Sequence, residues 1–89
     1  MRRIKLSEKW KNYLLKQPET GMGHQVVAIT TKDNHVYRNI AITNCEYIDG
    51  IYNASLPDFF KESDIVDIKV THLEKDKDFN PNRWNRFGK

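Results

Sequence analysis

The first part of the chain carries apolar positions at the spacing of a short helix. Four of them fall at i, i+4, i+7 and i+8, which places them on one helical face: Leu6, Trp10, Tyr13 and Leu14. Ser7 is a suitable N-cap residue, and Pro18 cannot continue a helix. The pattern therefore predicts a helix over about residues 7–17, with an apolar face that must pack against another element.

The pattern changes to alternation with many β-branched residues at Gln25. The segments "QVVAITT" and "VYRNIAITN", separated by "KDNH", predict two strands of a hairpin over Gln25–Asn44. Asp33 and Asn34 both tolerate positive φ, so we predict a tight turn of the primed type there. In the second strand one face is predicted to lie in the core, and its apolar members are Val36, Ile40 and Ile42, with Arg38 between them.

Two further strand signals follow this hairpin. Asp49-Gly50 is a strong turn dipeptide, so a second short hairpin is predicted between "YI" and "IY" on either side of it. The later segment "DIVDIKV" predicts a last strand, in which Val66, Ile68 and Val70 alternate with polar residues. Four or five short strands with one leading helix predict a mainly β fold, a small antiparallel barrel, because closing a sheet removes its exposed edges.

The length of the chain limits the number of domains that it can form. Its 89 residues suit a single domain, with the barrel over about residues 24–72 and a C-terminal tail over about residues 75–89. A core of this size stabilises the fold only weakly, which favours self-association.

Cys45 is the single cysteine, so no intramolecular disulfide can form. No apolar run reaches the length of about 20 residues that spans a bilayer, and a secretory signal pattern is missing, so we expect a cytoplasmic protein without membrane contact.

Charge is distributed unevenly along the chain. Residues 1–16 carry six basic residues against one acidic residue, and residues 75–89 carry five against two. Residues 17–74 carry four basic residues against nine acidic ones. Polyanion binding, if the protein has it, is therefore expected at the two ends and not in the middle. The alternative is that the ends only neutralise the acidic body.

The tail interleaves basic and aromatic side chains, and three interpretations of it stay open. It can bind single-stranded nucleic acid by stacking and phosphate contacts, it can insert Trp84 and Phe87 into a groove of a partner or a second copy, or it can fold back and bury Trp84 beside Trp10. The candidate binding residues of both ends are Arg2, Arg3, Lys5, Arg83, Trp84, Arg86 and Phe87.

No catalytic or metal-binding constellation is recognisable. His24, His35 and His72 are widely separated and lack other ligands at zinc spacing. The acidic segment "DFFKESDIVD" lacks the pattern and central glycine of a calcium loop. We therefore expect neither an enzyme nor a cofactor.

The helix, the hairpin "VVAITTKDNHVYRNIAITN" and the late strand "DIVDIKV" resemble the layout of Sm-like proteins. In that family an N-terminal helix caps a strongly bent five-stranded antiparallel sheet. The resemblance covers about residues 7–72 and implies an Sm-like barrel. The phrases "QPETGMGHQVV" and "DIVDIKVTH" are also similar to segments of a family of short uncharacterised bacterial proteins, which implies a bacterial cytoplasmic protein but no particular activity.

Sm-like proteins bind RNA through an Asp-x-apolar-Asn box after the second strand and an Arg-Gly pair in a late turn, and they usually assemble as rings. The corresponding places in this chain are Asn44 to Ile48 and Glu62 to Asp64. The second place is acidic and would repel phosphate. The resemblance thus implies the fold but not RNA binding at these two places.

These observations favour a non-enzymatic binding module. The first hypothesis is a protein-interaction adaptor or regulator, which can form a homo-oligomer and uses the helix and the tail as contact surfaces. The alternative is binding of RNA or single-stranded nucleic acid through the basic ends. The two hypotheses differ in salt dependence, since phosphate contacts are strongest at low salt.

Overall fold

One helix and a curled antiparallel sheet make up the computed structural model, which describes residues 2–18, 24–73 and 77–88. In chain order the elements are β1 (Ile4–Lys5), α1 (Glu8–Leu15), β2 (His24–Thr31), β3 (Val36–Thr43), β4 (Tyr47–Tyr52), β5 (Ile65–Thr71) and β6 (Trp84–Arg86), with 3₁₀ turns at Glu62–Asp64 and Pro81–Arg83. The predicted class, mainly β with one N-terminal helix, is confirmed. The sequence pattern does not predict β1 and β6, two short strands near the chain ends.

The strand order is β1-β4-β3-β2-β5, and β6 also pairs with β4. All these strand pairs are antiparallel. The sheet curls into a half-barrel, and no pairing within the described ranges joins β5 to β1 or β6. The structure thus fits the predicted small antiparallel barrel, and among the described residues the sheet keeps two edges, at β5 and at β1 and β6.

One hydrophobic core lies inside the curled sheet and beneath α1. Aliphatic side chains from β2, β3, β4 and β5 are fully buried there: Val27, Ile29, Ile40, Ile42, Ile48 and Ile68. The helix adds Trp10 and Leu14 from its predicted apolar face, while Tyr13 at the edge of that face is 38 % exposed. The helix thus covers the sheet with the face that its sequence pattern predicts.

The buried side chain of Gln25 connects β2 to the end of the helix. Its Nε2 donates hydrogen bonds to the carbonyl oxygens of Leu14 at 3.0 Å and of Gln17 and Pro18 at 3.4 Å. The Leu14 carbonyl also accepts from the Gln17 N–H at 3.0 Å, so the buried amide of Gln25 adds a second donor at the helix end. At the other end Ser7 occupies the N-cap position, but its side chain makes no capping bond.

The turn chemistry differs from the prediction at two places. Between β2 and β3 only Asn34 has positive φ, so the loop lies where it is predicted but its turn is not of the primed type. The predicted hairpin at Asp49-Gly50 is wrong, because β4 runs straight through it. The second hairpin turn lies instead at Asn44 and Cys45, which have φ values of 54° and 56° and thus supply the primed geometry.

Irregular register changes which side chains of β3 and β5 are buried. The β2–β3 register shifts between Val27 and Ile29, and Asn39 on β3 has a φ of 57°. The predicted alternation fails at this bulge: Val36 is 42 % exposed, and Tyr37 packs against the core in its place. A second shift beside Thr31 in the β2–β5 pairing buries Ile65 and leaves Val66 exposed.

The described part of the tail, residues 77–88, folds back onto the sheet. β6 pairs with β4 and Phe87 enters the core, so folding back is correct but the predicted neighbour of Trp84 is wrong. Trp84 lies opposite Tyr52 and contacts its ring, not that of Trp10. Residues 75, 76 and 89 of the predicted tail, and the whole segment "ETGMG", lie outside the described residues.

Candidate nucleic-acid interface

The two basic ends of the chain meet along β4. β1 pairs with the first half of this strand, and β6 pairs with the second half. The backbone N–H of Arg3 donates to the carbonyl of Gly88 at 2.6 Å, and Arg2 forms a parallel bridge with the same residue. Groups of cations that are far apart in the sequence thus become neighbours in space.

The strand register places these cations on the solvent face of the sheet. Residues that are paired across two strands project to the same side, and successive residues project to opposite sides. Ile4 pairs with the buried Ile48, so the next pair, Lys5 and Tyr47, lies on the outer side. Phe87 enters the core, which by the same alternation directs the preceding Arg86 outward.

This outer surface combines four aromatic rings with four cations. We call it the aromatic–basic face, and its members are Arg3, Lys5, Tyr47, Tyr52, Phe79, Arg83, Trp84 and Arg86.

Gly50 explains how β6 comes so close to β4. A Cβ atom at this position would lie 2.8 Å from the carbonyl oxygen of Asn85 and 3.3 Å from the Cα of Arg86. Real Cβ atoms do not approach backbone oxygen this closely, so a larger residue would push β6 away. The glycine that suggests a turn in the sequence is instead required for strand contact.

Tyr52 is the centre of an aromatic cluster on this face. Phe79 stacks on its ring with a centroid distance of 5.4 Å and an interplanar angle of 12°, and Trp84 meets its edge at 5.4 Å. The Tyr52 hydroxyl accepts a hydrogen bond from the Asn80 N–H at 3.0 Å. Because Asn80 caps the 3₁₀ turn that contains Arg83, the tyrosine also helps to position this cation.

The cations of the face differ in how strongly they are neutralised. Arg3 Nε lies 2.9 Å from an Asp49 carboxylate oxygen, and its guanidinium lies 4.0 Å above the centre of the Tyr47 ring. Lys5 lies 3.6 Å from Glu46. In contrast, within residues 2–18, 24–73 and 77–88 no carboxylate comes within ion-pair distance of Arg2, Arg83 or Arg86. These three cations are therefore available to an anionic ligand.

Two adjoining grooves open beside the aromatic cluster. One, of about 390 Å³, is lined by Tyr52, Phe79 and Arg83 together with His72. The other, of about 430 Å³, runs along the first half of β3 past Arg38 to the end of β4. Both grooves include Asn39 and Tyr52 in their walls. Their volumes lie within the range of about 300–1,000 Å³ that small-molecule sites occupy, so either can take a flat ring.

Six of the seven predicted binding residues lie at this surface, and one does not. Arg2, Arg3, Lys5, Arg83, Trp84 and Arg86 come together on or beside the aromatic–basic face. Phe87 is 8 % exposed and belongs to the core. Sequence reasoning missed Tyr47, Tyr52 and Phe79. Two of them flank Asp49-Gly50, and assigning that dipeptide to a turn hid the strand that presents them.

Comparisons with known protein families, with curated proteins and with solved structures found no match for this chain. Among the described residues, no three His, Cys, Asp or Glu side chains are close enough to hold a metal ion together. No helix in that part of the chain is long and apolar enough to cross a membrane. The chemistry of the aromatic–basic face is therefore the basis for a functional hypothesis.

Proposed function

We propose that this protein is a non-enzymatic binding module for single-stranded nucleic acid, which lies across the aromatic–basic face. The observation that carries the proposal is the interleaving of rings and cations on one sheet surface, centred on Tyr52, Trp84 and Arg86. Proteins that bind single strands combine a positive surface for the phosphates with aromatic rings on which bases stack.

The geometry favours a single strand over a duplex. Tyr52 and Trp84 are partly exposed, and Tyr52 lines both grooves, which have room for a base. Stacking a base on such a ring is worth about 1–3 kcal/mol, and it requires a base that is free of its complementary strand. Two carboxylates, Asp49 and Asp78, lie beside the face and make its net positive charge moderate. Binding should still weaken as salt rises, with a slope that reflects the few phosphates that the unneutralised cations contact.

We thus place nucleic-acid binding before protein interaction, whereas the sequence pattern favours protein interaction. An adaptor whose tail inserts Trp84 and Phe87 into a partner needs these side chains to be free. Phe87 lies in the core instead, and its backbone N–H donates to the carbonyl of Asp49 at 2.7 Å. The basic residues of the tail are thus held against the sheet, where they are suited to a ligand that lies on the sheet.

We further propose a cytoplasmic location, since Cys45 has no cysteine with which to pair within the chain.

Fluorescence anisotropy with labelled oligonucleotides tests the proposal. Single-stranded and duplex forms of one sequence are titrated with the full-length protein at several salt concentrations. We expect the single strand to bind more tightly, with an affinity that falls as salt rises. The double variant Arg83→Ala/Arg86→Ala should lower the slope of log affinity against log salt by about 1.4, since each phosphate contact on a single strand contributes about 0.7.

Matched variants separate this site from general charge attraction. Lys61→Ala/Lys69→Ala changes the net charge by the same amount at exposed positions away from the face, and it should keep the original slope. Equal slopes for the two double variants would rule out the face as the site. Tyr52→Leu should weaken binding about five- to hundredfold, the equivalent of one lost stack, whereas Tyr13→Leu on the helix should not. Absence of binding to any oligonucleotide at low salt would end the proposal.

A protein partner or a second copy of the chain is the second candidate, and exposed aliphatic side chains favour it. Val36 and Val66 are 42 % and 52 % exposed, and they lie on β3 and β5, the two strands that flank β2. Light scattering over a concentration series tests self-association through this patch. The variant Val36→Ser/Val66→Ser should then reduce the mean mass, and an unchanged monomer mass for both proteins would exclude it.

A further inference from the structure

A small cavity lies at the end of the sheet where the β2–β3 loop meets the 3₁₀ turn Glu62–Asp64. Its volume is about 190 Å³, and its walls include Lys32, Asp33, Tyr37, Phe59, Phe60 and Asp64. None of these residues belongs to the aromatic–basic face. The cavity is below the range of about 300–1,000 Å³ that is usual for cofactors and drug-sized ligands, so it suits one small head group.

The aromatic side of the cavity is rigid at its base and open at its rim. Tyr37 and Phe60 stand perpendicular to each other with centroids 5.4 Å apart. His35 packs on Tyr37 at 4.4 Å, and Phe60 is part of the core, so both rings are held in place. Phe59 is 69 % exposed, so its ring is accessible to a ligand that enters the cavity.

The polar side of the cavity carries two carboxylates. Asp33 accepts hydrogen bonds from the Thr31 hydroxyl and the His35 N–H, and these bonds lower its pKa, so it is charged at neutral pH. Asp64 is fixed through its backbone, because its carbonyl accepts from the Lys32 N–H at 2.9 Å. Among the residues that the structure describes, no cation lies within ion-pair distance of either carboxylate.

We propose that this cavity binds an organic ammonium group, either on a small molecule or on a lysine side chain of another protein. Aromatic faces attract cations through their quadrupole, and aromatic cages are a known means of holding alkylated ammonium. Three aromatic residues line the cavity, and the two carboxylates supply compensating charge. A phosphate or a carboxylate would be repelled by Asp33 and Asp64, so the charges of the walls select the sign of the ligand.

Lys32 is a natural competitor for this site. Its side chain lines the cavity and carries an ammonium group of its own, although it forms no ion pair with Asp33 or Asp64 among the described residues. An external ligand must therefore displace or avoid this side chain. Replacing Lys32 by Gln should tighten ammonium binding.

Amide chemical-shift titration of the full-length protein is the appropriate test, with choline chloride as the first probe. Its uncharged isostere 3,3-dimethylbutanol controls for shape and apolar contact, and sodium chloride at equal ionic strength controls for salt. We expect choline to shift the amides of Lys32, Asp33 and Phe60 in a saturable way, and we expect the isostere not to do so. A short peptide with one trimethylated lysine, compared with choline, distinguishes the sources: tighter binding of the peptide assigns the site to a protein side chain.

Three variants connect the binding to the cavity. Phe59→Ala should weaken choline about two- to fivefold, the value of one exposed cation–π contact, and its exposure makes it safe for folding. Asp64→Asn should weaken choline further at low salt, while Asp67→Asn, an exposed carboxylate outside the cavity, should leave it unchanged. Equal binding of choline and its isostere, the same affinity in Phe59→Ala and Asp64→Asn as in the original protein, or no saturable shift with either probe would each overturn the proposal.

Discussion

Replacing Phe87 by Ala tests whether the C-terminal residues are part of the folded core. The side chain is 8 % exposed and belongs to the same cluster as the aliphatic residues of the sheet. Truncating a buried phenylalanine to alanine costs about 3–5 kcal/mol, which combines the lost transfer free energy with the cavity that remains. Small domains have total stabilities of about 5–15 kcal/mol, so this loss is a large part of the whole.

Phe87 directly follows β6, so the loss of stability in Phe87→Ala can take two structural forms: a cavity in the core or detachment of β6. If detaching β6 costs less than keeping the cavity, the tail will separate and the protein will lose the pairing of β6 with β4 as well. In both cases the free energy of unfolding falls. With a urea m-value of about 2 kcal/mol per molar, the unfolding midpoint should fall by about 2 M.

Urea denaturation followed by tryptophan fluorescence and by circular dichroism measures this change. Phe59→Ala is the matched control, because it removes the same atoms from a side chain that is 69 % exposed, and it should change stability by less than about 0.5 kcal/mol. If the two variants have the same midpoint, Phe87 does not stabilise the folded core. Such a result would mean that the tail contributes nothing to the core and that its cations are not fixed at the aromatic–basic face.

Three further substitutions have expected outcomes of their own. Gln25→Leu should lower the free energy of unfolding by about 1–3 kcal/mol in thermal melts, because the buried bond from Nε2 to the Leu14 carbonyl is lost, together with the two longer bonds to Gln17 and Pro18. Gln17→Leu should have little effect in the same measurement. Gly50→Ala should speed hydrogen exchange at the β6 amides, because the added Cβ meets the backbone of β6; unchanged exchange would contradict the close approach. Asp33 has a pKa below its ordinary 3.8, so its contribution to stability is present above that pH and is lost as the pH falls through the lower folded value. Asp33→Asn should therefore flatten the loss of stability on acidification, measured by melts over a pH series.

Periodicity predicts the helix and the first hairpin well because their apolar positions follow one regular pattern. The alternating residues Ile40 and Ile42 are buried as predicted, and so are Trp10 and Leu14. The pattern fails at bulges, where one extra residue reverses the face of the strand. Val36 shows this clearly, since only the backbone geometry at Asn39 moves it to the outside.

The sequence predicts most of the residues of the candidate site but not how they come together. Composition indicates that the basic and aromatic ends matter, but it contains no information on where they lie relative to each other. That relation depends on three-residue and two-residue strands, which are too short to have a recognisable period. Gly50 is the sharpest example, because the same dipeptide that signals a turn also permits close approach of a neighbouring strand.

The hydrogen bond between Arg3 and Gly88 has a consequence for how the protein is made. The strands β1 and β6 share β4, so the sheet is completed only after the residues of β6 have left the ribosome. Until then the second half of β4 presents an unpaired edge with Tyr52 at its end, which is the kind of edge that promotes aggregation. A variant chain that lacks β6 would keep this edge unpaired, and we expect it to aggregate more readily than the chain that contains β6.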